Sequence, residues 1–179
     1  GYRNVATGYG TLRSNTTGDY NTASGRSALY ANTTGNDNTA FGNNALESNT
    51  TASYNTAVGK DSLKLNTTAS FNTANGYQAL LNNTTGANNT ATGYRALYSN
   101  TTGIYNSATG SDALFYNTGS YNTANGYRAL FNNITGVNNT AYGYRSLYLS
   151  TGDNNTALGS LAGDNITTGS SNIIIGSGV

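Results

Sequence analysis

A seventeen-residue unit, N-T-A-x-G-x-x-A-L-x-x-N-T-T-G-x-x, runs the length of the 179-residue chain. Its first Asn recurs at Asn4, Asn21, Asn38, Asn55, Asn72, Asn89, Asn106, Asn122, Asn139, Asn155 and Asn172, and the Gly four places on recurs from Gly8 to Gly176. A short fixed period with no inserted domain is the mark of a solenoid or fibre, in which each unit buries its inner face only against its neighbours. The chain therefore reads as a single repeat domain over 1–179, with 163–179 a terminal coil or a junction. It opens inside the repeat at Gly1 without an initiating Met, as a processed or excised segment of a longer protein would.

Composition narrows the chemistry. Cys, Met, Pro, Trp and His are absent, charged residues make up 8% and the net charge is +1. Such bias often accompanies disorder, but a disordered linker would not return Ala, Leu and Gly to fixed places. Without Cys or His there are no disulfides, no thiolate sites and no imidazole for a metal or a general base. Scattered Lys and Arg give no footprint for nucleic acid, and no apolar run has membrane-spanning length. No cofactor or metal is expected. The carboxylates fall at unrelated places in the unit, Asp19 and Asp37 coming nearest to a pair, so no enzyme is expected either.

Helix suits the unit poorly, because a Gly every few residues costs about 1 kcal/mol each relative to Ala. Alternation in T-A-x-G suits a strand with Ala inward and Thr outward, the Gly suits a corner, and T-T-G suits a second turn. The expected fold is all-β, a parallel β-solenoid of about eleven coils on this repeat. Leu12 to Leu147, one per coil, form the core column. Asn at the first place of the unit (Asn21, Asn38, Asn55, Asn72, Asn89) and at the twelfth are expected to stack as hydrogen-bonded ladders along the axis. The units starting at Asn106 and Asn139 lack one residue, and the loss falls in the T-T-G turn, which leaves the strands in phase.

The variable places carry whatever specificity exists. The residue after Leu is aromatic in four successive coils, Tyr98, Phe115, Phe131 and Tyr148. If Leu points inward its neighbour points outward, making this column a subunit interface, a glycan-binding strip or simple surface stacking. A second aromatic column holds Tyr20, Tyr54, Phe71, Tyr105 and Tyr121, and a broken third holds Tyr77, Tyr94, Tyr127 and Tyr144. Arg95 and Arg128 flank Asp112 from the coils on either side. Sequons at Asn15, Asn32, Asn49, Asn66, Asn83 and Asn100 coincide with the twelfth-place ladder, and others stand at Asn88, Asn133, Asn138, Asn154 and Asn165. One Leu and two small residues per coil make a thin core, so a further copy of the chain is the natural source of additional burial.

The combination N-T-A-x-G-x-x-A-L with N-T-T-G resembles the repeats of phage tail-fibre and bacterial surface proteins that end in an endosialidase-type intramolecular chaperone. It is similar, more loosely, to the left-handed β-roll heads of trimeric autotransporter adhesins, although the unit is longer. The closing stretch from Gly163 to Gly176 looks like the lead into the C-terminal part of such fibres. The resemblance implies a homotrimeric fibre at a cell surface, outside the cell or on a virion, meeting a host-surface glycan or protein, with no membrane insertion. The chaperone and its catalytic residues have no counterpart in this sequence. Two other readings stand beside it: an end-stacking filament subunit, for which Ile173-Ile174-Ile175 is the apolar contact, and an ice-binding solenoid. The latter is disfavoured by the irregular outward partner of each strand Thr, which runs Ser24, Phe41, Val58, Asn75 and onward.

Overall fold

The computed structural model describes residues 1–178. Each coil contributes one three-residue strand: β1 (Val5–Thr7), β2 (Thr22–Ser24), β3 (Thr39–Phe41), β4 (Thr56–Val58), β5 (Thr73–Asn75), β6 (Thr90–Thr92), β7 (Ser107–Thr109), β8 (Thr123–Asn125), β9 (Thr140–Tyr142), β10 (Thr156–Leu158) and β11 (Ile173–Ile175). These lie in sequence order in one 11-stranded parallel sheet. The solenoid expected from the period is therefore the observed fold. Register is held coil by coil, Ala74 opposite Ala91 and Ala91 opposite Ala108, with that central Ala buried and its two neighbours turned outward. The shortened units keep the same phase, since Ser107 still pairs Thr123 and Thr140 pairs Thr156.

The rest of the coil is built on left-handed backbone. Non-Gly residues with φ near +50 to +62° recur at the seventh, ninth and seventeenth places of the unit, for example Gln78 (56°), Leu80 (52°) and Phe71 (62°). Each costs about 1 kcal/mol against the ordinary regions, and more for a β-branched side chain. Among the described residues none of the non-Gly residues in this conformation is Val, Ile or Thr, although Thr is abundant in the chain. That selection explains the Leu column: the coil needs a large apolar group at an αL position, and Leu branches one carbon too far out to clash.

The kinks also alter which side chains face in. Both the eighth and ninth residues turn inward, so Ala79 and Leu80, or Ala96 and Leu97, are fully buried as adjacent pairs. One continuous core results, running from Ala23 to Ala162 through eight Leu side chains at 0% exposure. The fifth-place Gly sits at a φ that side chains rarely adopt, +143° at Gly76, where a Cβ would fall on the carbonyl of Gly93 in the next coil.

Two Asn ladders run beside this core and differ in kind. At the twelfth place the amides bond to one another: Asn83 Nδ2 donates to Asn66 Oδ1 (2.9 Å) and to Gly86 O (2.8 Å), and Asn83 Oδ1 accepts from Asn100 Nδ2 (2.9 Å). At the first place the amides bond mainly to backbone. Asn72 Nδ2 donates to Gly86 O (2.9 Å), which ties the strand to the T-T-G turn, and its Oδ1 accepts the backbone N–H of Asn89 (2.9 Å). Thus Asn21, Asn38, Asn55, Asn72 and Asn89 are fully buried scaffold residues, whereas the amide-to-amide ladder expected for them belongs chiefly to the twelfth place. The last coils depart from the pattern. Gly163 stands where Leu would, and a Cβ there would meet Leu147, Ile166 and Ile174 at 3.1 to 3.3 Å. The missing Leu is thus replaced by Ile from the Asn column and Ile from the Ala column.

Candidate functional site

The four aromatic residues singled out by the sequence do form one stack. Ring centroids are 4.9 Å apart for Tyr98 and Phe115, 5.3 Å for Phe115 and Phe131, and 5.3 Å for Phe131 and Tyr148. The stack does not stand outward, however. Phe115 is only 8% exposed, and Tyr98, Phe131 and Tyr148 are half-buried. The reason is the αL turn at Leu, which rotates the following residue sideways instead of to the opposite face. Tyr116, at the next position, closes edge-on against Phe115 (4.7 Å) and Phe131 (5.2 Å).

Arginines from the seventh place cover the other flank. The Arg95 guanidinium carbon lies 4.8 Å from the Phe115 ring centre and 4.7 Å from Tyr94, and that of Arg128 lies 5.2 Å from Phe131 and 5.1 Å from Tyr127. Arg145 lies 4.2 Å from Tyr148. Each guanidinium is held by cation–π attraction, and two are fixed further by the buried Asp112. Its carboxylate accepts from Arg95 Nη2 at 2.9 Å and Arg95 Nε at 3.0 Å on one oxygen, and from Arg128 Nε at 3.4 Å on the other. The expected Arg–Asp–Arg bridge across three coils is therefore present. At Arg128, burial opposes the charge, but Tyr127, Asp112 and Tyr148 together outweigh it and raise the pKa above its ordinary value. Arg145 has no such acid, since Leu161 occupies the seventh place of the next coil, and its Nε is buried without a partner.

The rings presented to solvent are in the other two columns. Tyr54 and Phe71 stack at 5.1 Å and Tyr105 and Tyr121 at 5.4 Å, all at the αL seventeenth place and about half exposed. In the third column Tyr77 stacks on Tyr94 at 5.4 Å and Tyr127 on Tyr144 at 5.5 Å. The sequence shows this column as a broken one and does not by itself link it to the arginines. The available signal was the dipeptide Tyr-Arg, repeated as Tyr94-Arg95, Tyr127-Arg128 and Tyr144-Arg145.

Other candidates resolve differently. Asp19 and Asp37 fall in different columns of the coil, and Asp19 accepts the backbone N–H of Tyr2. Asn32, Asn49, Asn66, Asn83 and Asn100 are buried in the ladder, so their sequons are closed to modification in the folded rod, whereas Asn88, Asn138, Asn154 and Asn165 are exposed. Among the described residues there is no pocket and no cluster of potential metal ligands. No family model, no curated protein and no solved structure matches the chain.

Proposed function

We propose that the chain is a structural and adhesive segment of a fibre, carried outside the cell, on a cell surface or on a virion, and assembled as a homotrimer. The observation that carries this reading is axial continuity. Eleven strands stack in unbroken register, and the buried Asn ladder runs from coil to coil, so units add along one axis without a change of environment. At about 4.8 Å per coil the rod spans ~50 Å. Such a body serves to space and to present. The core of each coil is one Leu with small residues, while the exposed Tyr and Phe columns offer apolar area that copies of the chain could bury against one another.

Light scattering coupled to gel filtration, with small-angle X-ray scattering on the same fraction, tests the reading. A particle of three times the 18.5 kDa chain mass with a rod-like profile supports it. A compact monomer overturns the fibre reading, and a concentration-dependent open polymer replaces the trimer with an end-stacking filament.

A further inference from the structure

Charge is not spread evenly around the coil. At the sixth and seventh places, just past the strand, stand Arg26, Lys60, Arg95, Arg128 and Arg145, and the two acids there, Asp61 and Asp112, are buried. At the sixteenth and seventeenth places, just before the next strand, stand Asp19, Asp37 and Asp153, with Arg3 beside the first coil as the one cation. The strand therefore separates a cationic flank from an acidic one. The acidic flank also carries the rings of Tyr54, Phe71, Tyr105 and Tyr121, about half exposed and stacked in two pairs. These rings occupy the middle coils, where that flank has no acid, and the acids occupy the coils toward either end. Among the described residues Arg26, Arg145, Asp19, Asp37 and Asp153 take part in no ion pair, so neither flank is neutralised within one chain.

We infer that copies of the chain pack side by side and parallel, the cationic flank of one against the acidic and aromatic flank of the next. At equal height this contact brings Asp37 to Arg26 of the next copy and Asp153 to its Arg145, with Asp19 between Arg13 and Arg26. Each acid is offset from its cation along the axis by less than one coil step of ~4.8 Å, well within the reach of an arginine. In the middle coils Lys60, Arg95 and Arg128 fall beside Phe71, Tyr105 and Tyr121, rings that their apolar stems and charged heads can cover. A two-fold antiparallel pair would instead set each flank on its own counterpart, acid on acid or cation on cation. A contact between two different flanks cannot close with two copies; it closes as a ring of three or more, or runs on as an open sheet. The inference deepens the homotrimer reading, rests on it, and names the two surfaces that meet.

The chain has no Cys, so single thiols can report the contact. Arg26→Cys and Asp37→Cys, both at exposed positions, are co-expressed with tags of different mass and treated with a short bismaleimide. A mixed-tag cross-linked dimer is expected from the pair and none from either variant alone. Asp37→Cys with Arg145→Cys, which reports an antiparallel contact, is expected to give none. Charge reversal is the second arm: Asp37→Lys and Arg26→Asp should each raise the concentration at which the assembly dissociates by about tenfold, and the double variant should recover most of that loss. The contact is overturned by absence of the mixed-tag dimer, by cross-linking of either variant with itself or of Asp37→Cys with Arg145→Cys, by single reversals without effect, or by a double variant no better than the singles. Any of these in a parent of three times the chain mass removes this contact and leaves the trimer standing, whereas a monomeric parent overturns both.

Discussion

Replacing Leu97 by Ile changes neither volume nor polarity, yet the backbone at this site makes it a severe substitution. Leu97 is fully buried, sits at φ +53° and donates its N–H to Ala113 O at 3.0 Å, so it cannot leave the αL region without breaking the contact to the next coil. An isosteric swap in a well-packed core ordinarily costs under about 1.5 kcal/mol. A branched Cβ at positive φ adds about 1 to 2 kcal/mol. The expected loss is therefore about 2 to 3 kcal/mol for Leu97→Ile, against less than about 1 kcal/mol for Leu97→Met, which keeps an unbranched Cβ. At ~2 to 4 °C per kcal/mol for a chain of this size, the two variants should melt several degrees apart. Circular dichroism melts read the difference, and hydrogen exchange at the amides of the adjoining coils localises it. Equal stability of the Ile and Met variants would falsify the claim that left-handed backbone selects Leu.

Four further outcomes follow from the same geometry. Asn83→Ala orphans the buried Asn66 Oδ1, while Gly86 O keeps its bond from Asn72 Nδ2 and Asn100 Nδ2 keeps its bond to Gly103 O, and should cost about 1 to 3 kcal/mol in chemical denaturation, the penalty of one orphaned buried group. Gly76→Ala combines φ +143° with a collision on Gly93 and should lower stability by about 3 kcal/mol or more; a melt within error of the parent contradicts it. Gln78→Gly relieves an αL side chain at a place where Gly10 stands naturally, and should gain about 0.5 to 1 kcal/mol. Expression in a host that glycosylates secreted proteins should modify Asn88, Asn138, Asn154 or Asn165 and leave the ladder Asn unmodified, which peptide mapping by mass spectrometry reads directly.

Much of the fold was legible because the repeat exposes it. The period gave the coil, the T-A-x alternation placed Ala inward, and the missing residue before Gly119 and Gly152 marked the turn. The aromatic column was mistaken in orientation because alternation was carried through Leu into the next residue, while αL backbone at the seventh and ninth places breaks alternation there. A signal for that backbone was present in the sequence: a core column that is Leu from Leu12 to Leu147 and never Ile or Val. The cover of arginines over Phe115 and Phe131 was less visible, since it joins columns three places apart in the unit, within one coil for Arg128 and Phe131 but across to the next coil for Arg95 and Phe115.

The stacking of coils is the claim on which everything else rests, and scalar couplings across hydrogen bonds in isotope-labelled protein measure it most directly. The account predicts couplings from the N–H of Leu80 to the carbonyl of Ala96, from Leu97 to Ala113 and from Leu114 to Ala129, the last step one residue shorter where the turn loses a residue. Couplings that join these amides to any other carbonyl, or an offset that does not shorten at Leu114, would contradict the in-register solenoid.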